Sequence, residues 1–240
     1  MKFSVDPKIF EKWPEIKIGV LVLTGIHNDG HNEEILKLLR EEETKQKNLL
    51  ATKEIGELPE VAACRKIYKE FGSNPHDFKS SVEALLRRVK NGKELPQINN
   101  LVDLYNFISI KFNITVGAED LDKVKGDIEL TFSDGTIKGK YLGSDVVETC
   151  DKGEVIYKDE IGFICRKWNW READRTKIEE NTQNAVLVLE NASIELHGDL
   201  EKALDETKDL IEKYLGGKAE TFILSRDILS LEVSFITSKI

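Results

Sequence analysis

Apolar positions along the chain change their period near residue 114. Residues 16–24 (IKIGVLVLT) are β-branched and nearly continuous, the pattern of a strand covered on both faces. Before them, Asp6-Pro7 offers an N-cap followed by a proline at the first helical position, which predicts a short helix through Trp13. From Glu33 to Phe71 the spacing is helical, carried by Ile35, Leu38, Leu39, Val61, Cys64, Ile67, Tyr68 and Phe71, with Pro59 marking a fresh start. Gly72-Ser73-Asn74-Pro75 breaks that run. Ser81 is expected to cap SVEALLRRV. Asn100 is expected to cap LVDLYNFISIKF, where Leu101, Leu104, Tyr105, Ile108 and Phe112 share one face.

Beyond residue 114, IELTF (128–132) alternates, and Asp134-Gly135 reads as a hairpin turn into TIKGKYL. EVIYKD, IGFICRKW and AVLVLE fit further strands. A last helix over 199–215 stops at Gly216-Gly217, and TFILS with LEVSFI is expected to close the chain as a strand pair. Helices lie mainly in the first half and strands in the second. This predicts an α+β fold of mixed sheets packed with helices rather than alternating βαβ units. No Pro/Gly/Ser-rich linker interrupts the chain, so 1–240 is read as a single compact domain.

Composition narrows the classes. The chain has 240 residues, 40% of them hydrophobic, enough to fill a core. No apolar run reaches the length of a membrane span. The N-terminal MKFSVDPKIFEKW lacks the apolar stretch of a secretory signal. Cys64, Cys150 and Cys165 form no CxxC and fit the reduced thiols of a cytoplasmic protein. A net charge of −9 argues against a nonspecific nucleic-acid coat and against DNA as partner. It leaves two local basic faces, at 79–93 (including Arg87 and Arg88) and at 166–177. The P-loop, dinucleotide, zincin and nucleophile-elbow motifs are all missing. His27 and His31, with Glu33 and Glu34 nearby, read as a solvated loop rather than a metal site. Cys165 reads as a packing residue. No cofactor and no metal are expected.

Two stretches carry more polar and aromatic chemistry than core or surface requires. In Leu95–Asn106, Asp103 and Asn106 sit three apart near a helix N-terminus, where partial positive charge favours an acid or a bound anion. The same side chains could instead satisfy neighbouring backbone groups. In Arg166–Lys177, two tryptophans flank Asn169 among five cations and two acids. Flat rings beside amides and carboxylates suit a pocket for a small polar ligand or a stacking surface for a base. Structural packing of the tryptophans is the alternative.

Taken in order, these residues resemble the B3/B4 module of the phenylalanyl-tRNA synthetase beta subunit, in a free-standing form. Asn99, Asn100, Val102, Asp103 and Asn106 stand where that family has an Asn-Asn-x-x-Asp helix start with a following Asn. Asp120-Leu121-Asp122-Lys123 matches a second segment. Thr176, Glu180, Thr182, Asn184 and the following AVLVLE match a third. The resemblance is best over 85–200. It departs at Gly117, where the synthetase module has a histidine, and at Trp168-Asn169-Trp170-Arg171, where it has a glycine-rich turn.

The resemblance implies a layered sandwich with a central cleft that hydrolyses an amino acid wrongly esterified to tRNA. The tyrosine specificity and the histidine-assisted mechanism are not carried over, and the chain is not by itself an aminoacylating subunit. On this reading Asp174 or Glu172 would bind the α-ammonium group or orient water, and Asn169 and Thr176 would donate to the ester carbonyl. Trp168 and Trp170 would form walls, with Asn100, Asp103, Asn106 and Gly117 on the substrate side. Arg171, Arg175 and Lys177, joined by Arg87 and Arg88, would hold the tRNA. The partners implied are a mischarged tRNA and, further, an aminoacyl-tRNA synthetase. A non-catalytic RNA- or synthetase-binding module, and a hydrolase or binder of a free amino-acid-like molecule, are the other two readings.

Overall fold

The computed structural model describes residues 1–234. Lys2–Val5 forms strand β1, and the Asp6 side chain caps helix α1 (Pro7–Lys12) as the Asp-Pro pair predicts. Strand β2 (Lys17–Thr24) is covered along both faces, which is why its sequence reads as an apolar run and not an alternation. Helices α2 (Glu33–Leu50) and α3 (Pro59–Glu70) follow, the second opened by its proline. Helix α4 (Ser81–Lys90) has Ser80 rather than Ser81 at its N-cap, and no side-chain capping bond. Helix α5 (Asn100–Phe112) is displaced in the same sense: Asn99 accepts from the Val102 N–H and takes the cap that Asn100 was expected to hold.

The second half supplies β3 (Thr115–Asp120), β4 (Ile128–Phe132), β5 (Lys138–Lys140), β6 (Val147–Thr149), β7 (Val155–Lys158), β8 (Phe163–Arg166), β9 (Arg171–Glu172) and β10 (Ala185–Asn191). Helix α6 (His197–Tyr214) stops at Gly216-Gly217, both at positive φ, before β11 (Lys218–Leu224) and β12 (Ser230–Glu232). No helix among the described residues is long and apolar enough to cross a membrane.

Three layers result, as the α+β reading predicts. A four-stranded antiparallel sheet of order β11-β2-β10-β3 lies in the middle. Alternation along β2 and β10 sends Leu21, Leu23, Leu187 and Leu189 towards a core shared with α2, α4, α5 and α6. Val20, Val22, Val186 and Val188 face the other way, onto Phe3, Leu130, Val155 and Ile164 of a six-stranded sheet of order β12-β1-β4-β7-β8-β9. That second sheet is mixed, since β1 runs parallel to β4. At Gly19 a Cβ would lie 2.8 Å from Leu204, so the missing side chain lets α6 settle on β2.

Two expected pairings do not form. The Asp134-Gly135 turn exists, with Gly135 at φ 91° and the Thr136 N–H donating to Asp134 Oδ1. Yet β4 pairs with β1 and β7, while β5 pairs with β6. The turn dipeptide sets local geometry, and burial of the β4 apolar face chooses its neighbours. Likewise β11 and β12 join different sheets rather than each other. Phe235 and Ile236, the end of the expected LEVSFI strand, lie outside the described residues.

Candidate active site

The turn between β8 and β9 is built on a buried ion network. Arg166 donates to Glu154 from Nε (2.8 Å) and Nη2 (2.5 Å), and the Lys167 N–H donates to the same carboxylate at 2.9 Å. Lys167 Nζ reaches Asp151 at 3.0 Å and lies 4.5 Å from the Phe78 ring. Burial alone would lift the Glu154 carboxyl; the cations hold it below its ordinary value. This anchoring supports two consecutive residues in the left-handed region, Lys167 (φ 47°) and Trp168 (φ 64°). Each costs on the order of 1 kcal/mol or more, and such strain collects at functional sites.

What the strain achieves is the aim of three side chains. Trp168 is buried, its backbone N–H donating to the Val155 carbonyl at 2.7 Å. Trp170 stands edge-on to Phe78 (4.7 Å) and Tyr141 (5.3 Å). Asn169 is clamped between them: the Tyr68 hydroxyl donates to its Oδ1 at 2.7 Å, and its Nδ2 donates to Glu190 at 2.7 Å. Glu190 also accepts from the Tyr157 hydroxyl (2.6 Å) and the Thr115 hydroxyl (3.0 Å). Burial raises the Glu190 carboxyl while these donors restrain it.

The turn closes one side of a cavity of about 300 Å³ between the two sheets. Val116, Val186 and Val188 line it from the smaller sheet, and Phe3, Ile128 and Tyr157 from the larger. Glu119, Glu172 and Glu190 interrupt these apolar walls. Glu172 lies over Gly117, where a Cβ would meet its Oε1 at 3.1 Å, and it accepts from the Ala118 N–H on the open edge of β3. Burial lifts the Glu172 carboxyl to about 7. Glu119 is held well above the usual carboxylate range, by burial first and by the neighbouring Glu172 second, with the Thr176 hydroxyl beside it. Asn106 on α5 also lines the cavity, and its amide makes no hydrogen bond among the described residues. Neither does the Ser81 hydroxyl.

The residues singled out by sequence divide accordingly. Trp168, Asn169, Trp170, Arg171, Glu172, Asn106 and Gly117 meet at the cavity. Asn100 and Asp103 do not. Asn100 donates to the Asp29 carbonyl and accepts from the Asn32 N–H, while Asp103 accepts from the Ile98 N–H, so these two satisfy the backbone. Thr176 is buried behind the wall. Asp174 sits outside the cavity, paired with Lys177 at 3.1 Å. Arg175 is spent on buried Asp159, at 2.8 and 2.6 Å, and Arg87 on buried Glu83. Arg88 donates to the Glu94 carbonyl. Sequence reasoning missed Glu119 and Glu190: acids near the ends of apolar strands whose meaning depends on which strand lies opposite. Cys165, expected to pack, is buried, and it also lines the cavity. Among the described residues no group of three or more His, Cys, Asp and Glu is placed to hold a metal ion.

Comparison with known proteins bears on this arrangement. No curated protein matches the chain. Among solved structures it is similar to an N-terminal fragment of the phenylalanyl-tRNA synthetase beta subunit from Pyrococcus horikoshii, at 14% identity and a TM-score of 0.43. That match covers 90% of this chain and 49% of the other, so the chain spans about half the fragment's length. The model of the B3/4 domain family matches residues 63–216, which reaches beyond 85–200 at both ends and takes in every helix and strand from α4 to α6. With more than half of its length inside that match, the chain belongs to the B3/4 domain family.

Proposed function

We propose that the cavity hydrolyses the ester of an aminoacyl group carried on tRNA, acting in trans on a mischarged species. One observation carries this reading: a carboxyl with a pKa of about 7, Glu172, inside an apolar cavity of about 300 Å³ that also presents unengaged polar groups. An aminoacyl ester is already activated, so the site must place a water and stabilise the developing oxyanion. Ionised Glu172 takes a proton from water as the water oxygen bonds to the ester carbonyl carbon. The carbonyl electron pair moves onto oxygen, towards the Asn106 amide. Collapse of that intermediate breaks the bond to the ribose oxygen, which leaves with the proton returned by Glu172.

Glu190, fixed by Tyr157, Asn169 and Thr115, supplies negative charge for the substrate's α-ammonium group. Asn169 is then a positioning residue, and Trp168 and Trp170 form walls. Asp174 and Thr176 have no part in the reacting set. The contribution of residues from Phe3 to Glu190 to one cavity supports the chain working as a single unit. On this reading the protein works in the cytoplasm, where charged tRNA is used.

The test is release of labelled amino acid from a panel of correctly and incorrectly charged tRNAs, with wild type and Glu172→Gln side by side. Selective release from one mischarged species, lost in the variant, supports the reading and names the substrate. No release from any species, with tRNA still bound, would replace it by a non-catalytic binding module.

A further inference from the structure

Strands β5 and β6 form a two-stranded ribbon that belongs to neither large sheet. Its inner face is fixed. Gly139 lies so close to the Phe163 ring that a Cβ would come within 2.8 Å, and Glu148 turns in to Arg166 at 3.7 Å. Alternation therefore sends Lys138, Lys140, Val147 and Thr149 outward, and all four are exposed. Arg171 continues this surface from β9, its guanidinium 5.6 Å from the Tyr141 ring. Leu142 (45% exposed) and Val146 (62%) extend it through the ribbon's turn. The Leu142 N–H donates to the Glu172 carbonyl at 3.0 Å, and Tyr141 bridges to Ala173. Leu142 and Arg171 also line the cavity, so the surface runs on into it.

Charge separates this ribbon from its surroundings. Arg166, Lys167, Arg175 and Lys177 all have carboxylate partners. Among the described residues, Lys138, Lys140 and Arg171 make no ion pair. The acids around them are engaged: Glu148 with Arg166, Asp151 with Lys167, Asp174 with Lys177. Asp145 in the turn is the exposed exception. In a chain of net charge −9, three unpaired cations on one face at a cavity mouth complement a polyanion. The exposed Leu142, Val146 and Val147 beside them suit the faces of unpaired bases and ribose, which a duplex would keep stacked away.

We infer that the outward face of the β5–β6 ribbon, continued by Arg171, docks the single-stranded end of an RNA and leads its terminus into the cavity. This rests on the aminoacyl-ester reading and names what holds the RNA there. The probe is a short 5′-labelled single-stranded RNA, followed by fluorescence anisotropy on the full chain across a salt series.

Three phosphate contacts predict a log–log salt slope of about −2, and a loss of about 20-fold in affinity between about 50 and 200 mM salt. Lys138→Glu with Lys140→Glu should weaken binding at least about tenfold and bring the slope towards about −0.7. Lys138→Arg with Lys140→Arg should restore both, and equal melting temperatures show that each variant is folded. With charged tRNA as substrate the Glu variant should raise KM and leave kcat in place. Binding by the Glu variant equal to wild type, or no RNA binding by wild type, overturns the ribbon's role. If wild type still hydrolyses a mischarged tRNA in that case, the ester reading stands alone. Ribbon-dependent binding without any hydrolysis overturns the ester reading and leaves the ribbon.

Discussion

Two sets of buried carboxylates in this fold differ in one respect. Glu154, Glu83 and Asp159 are each met by arginine: Glu154 by Arg166, Glu83 by Arg65 and Arg87, Asp159 by Arg175. Glu154 and Glu83 are both held below the ordinary carboxylate value by their cations, although burial alone would raise them. Glu119 and Glu172 have no cation, and both are raised. A buried acid with its partner fixes a turn or joins two helices. A buried acid without one costs stability, and it holds a proton at a pH where that proton can be moved. Glu119 and Glu172 line the cavity, and none of Glu154, Glu83 and Asp159 does.

The largest effect should come from erasing the second set's charge. Glu172→Gln keeps the shape and removes the base, so kcat/KM for ester release should fall about 10²–10⁴-fold. Wild-type kcat/KM should rise with pH through about 7, because only the ionised carboxylate accepts the water's proton. The variant should show no such inflection. Stability should move the other way. The folded state binds a proton that the unfolded chain has already released, so Glu172 ionisation opposes folding above about pH 7, and the variant should melt higher there. A variant that is inactive because it is less stable would remove the distinction between the two sets.

Breaking the first set should act on folding instead. Glu154→Gln leaves Arg166 and Lys167, both buried, without their one buried carboxylate and with only the more exposed Glu148 and Asp151. Loss of one partner from a buried pair costs about 3–5 kcal/mol, read from urea denaturation. The strained pair Lys167-Trp168 depends on this anchor, so near-ultraviolet circular dichroism of Trp168 and Trp170 should change with it. A loss under about 1 kcal/mol would show that the network is dispensable.

How far these two sets could be read from sequence follows from what each requires. The helices were legible because periodicity and caps are local: Asp6-Pro7, Pro59 and Gly216-Gly217 mark boundaries without reference to the rest of the chain. The turn at Trp168–Glu172 was legible because two tryptophans around an amide are chemically unusual. Glu119 and Glu190 were not, because an acid near the end of TVGAED or AVLVLEN shows neither which face it takes nor what faces it. The partners of Arg175 and Asp174 were hidden for the same reason. The charge of these two is visible in sequence, whereas Asp159 and Lys177, which consume it, are assigned only by the fold. The strands β5, β6 and β9 are two or three residues long, too short for any period to register.

A middle case tests whether pairing or the mere presence of hydrogen bonds decides the class. Glu60 has no cation but accepts from the Ala192 and Ser193 N–H groups, and burial still raises it to about 7. It does not line the cavity, so its main effect falls on stability. As an acid with a raised folded pKa, it leaves stability greatest below its unfolded value and lowers it as pH climbs through about 7. The full loss is on the order of 3 kcal/mol. In urea titrations Glu60→Gln should gain on wild type between about pH 5 and 8, with ester release unaffected. Parallel curves for the two proteins would mean that two backbone donors neutralise a buried carboxylate as well as an arginine does.

The smallest effect should come from Asp174, the acid that lies in the right turn but on the wrong side of it. Its side chain is 42% exposed, and Lys177 and the Gly143 N–H engage it at the surface, where solvent and salt screen such pairs. Those partners, Lys177 first, hold its carboxyl below the ordinary value. It is therefore ionised throughout the range in which Glu172 titrates and adds no inflection of its own. Asp174→Ala should leave kcat, KM and the inflection near pH 7 where they are in wild type. A loss of kcat comparable to that of Glu172→Gln would place a paired, exposed acid in the reacting set. Pairing with a cation would then no longer mark an acid as one that only holds the fold.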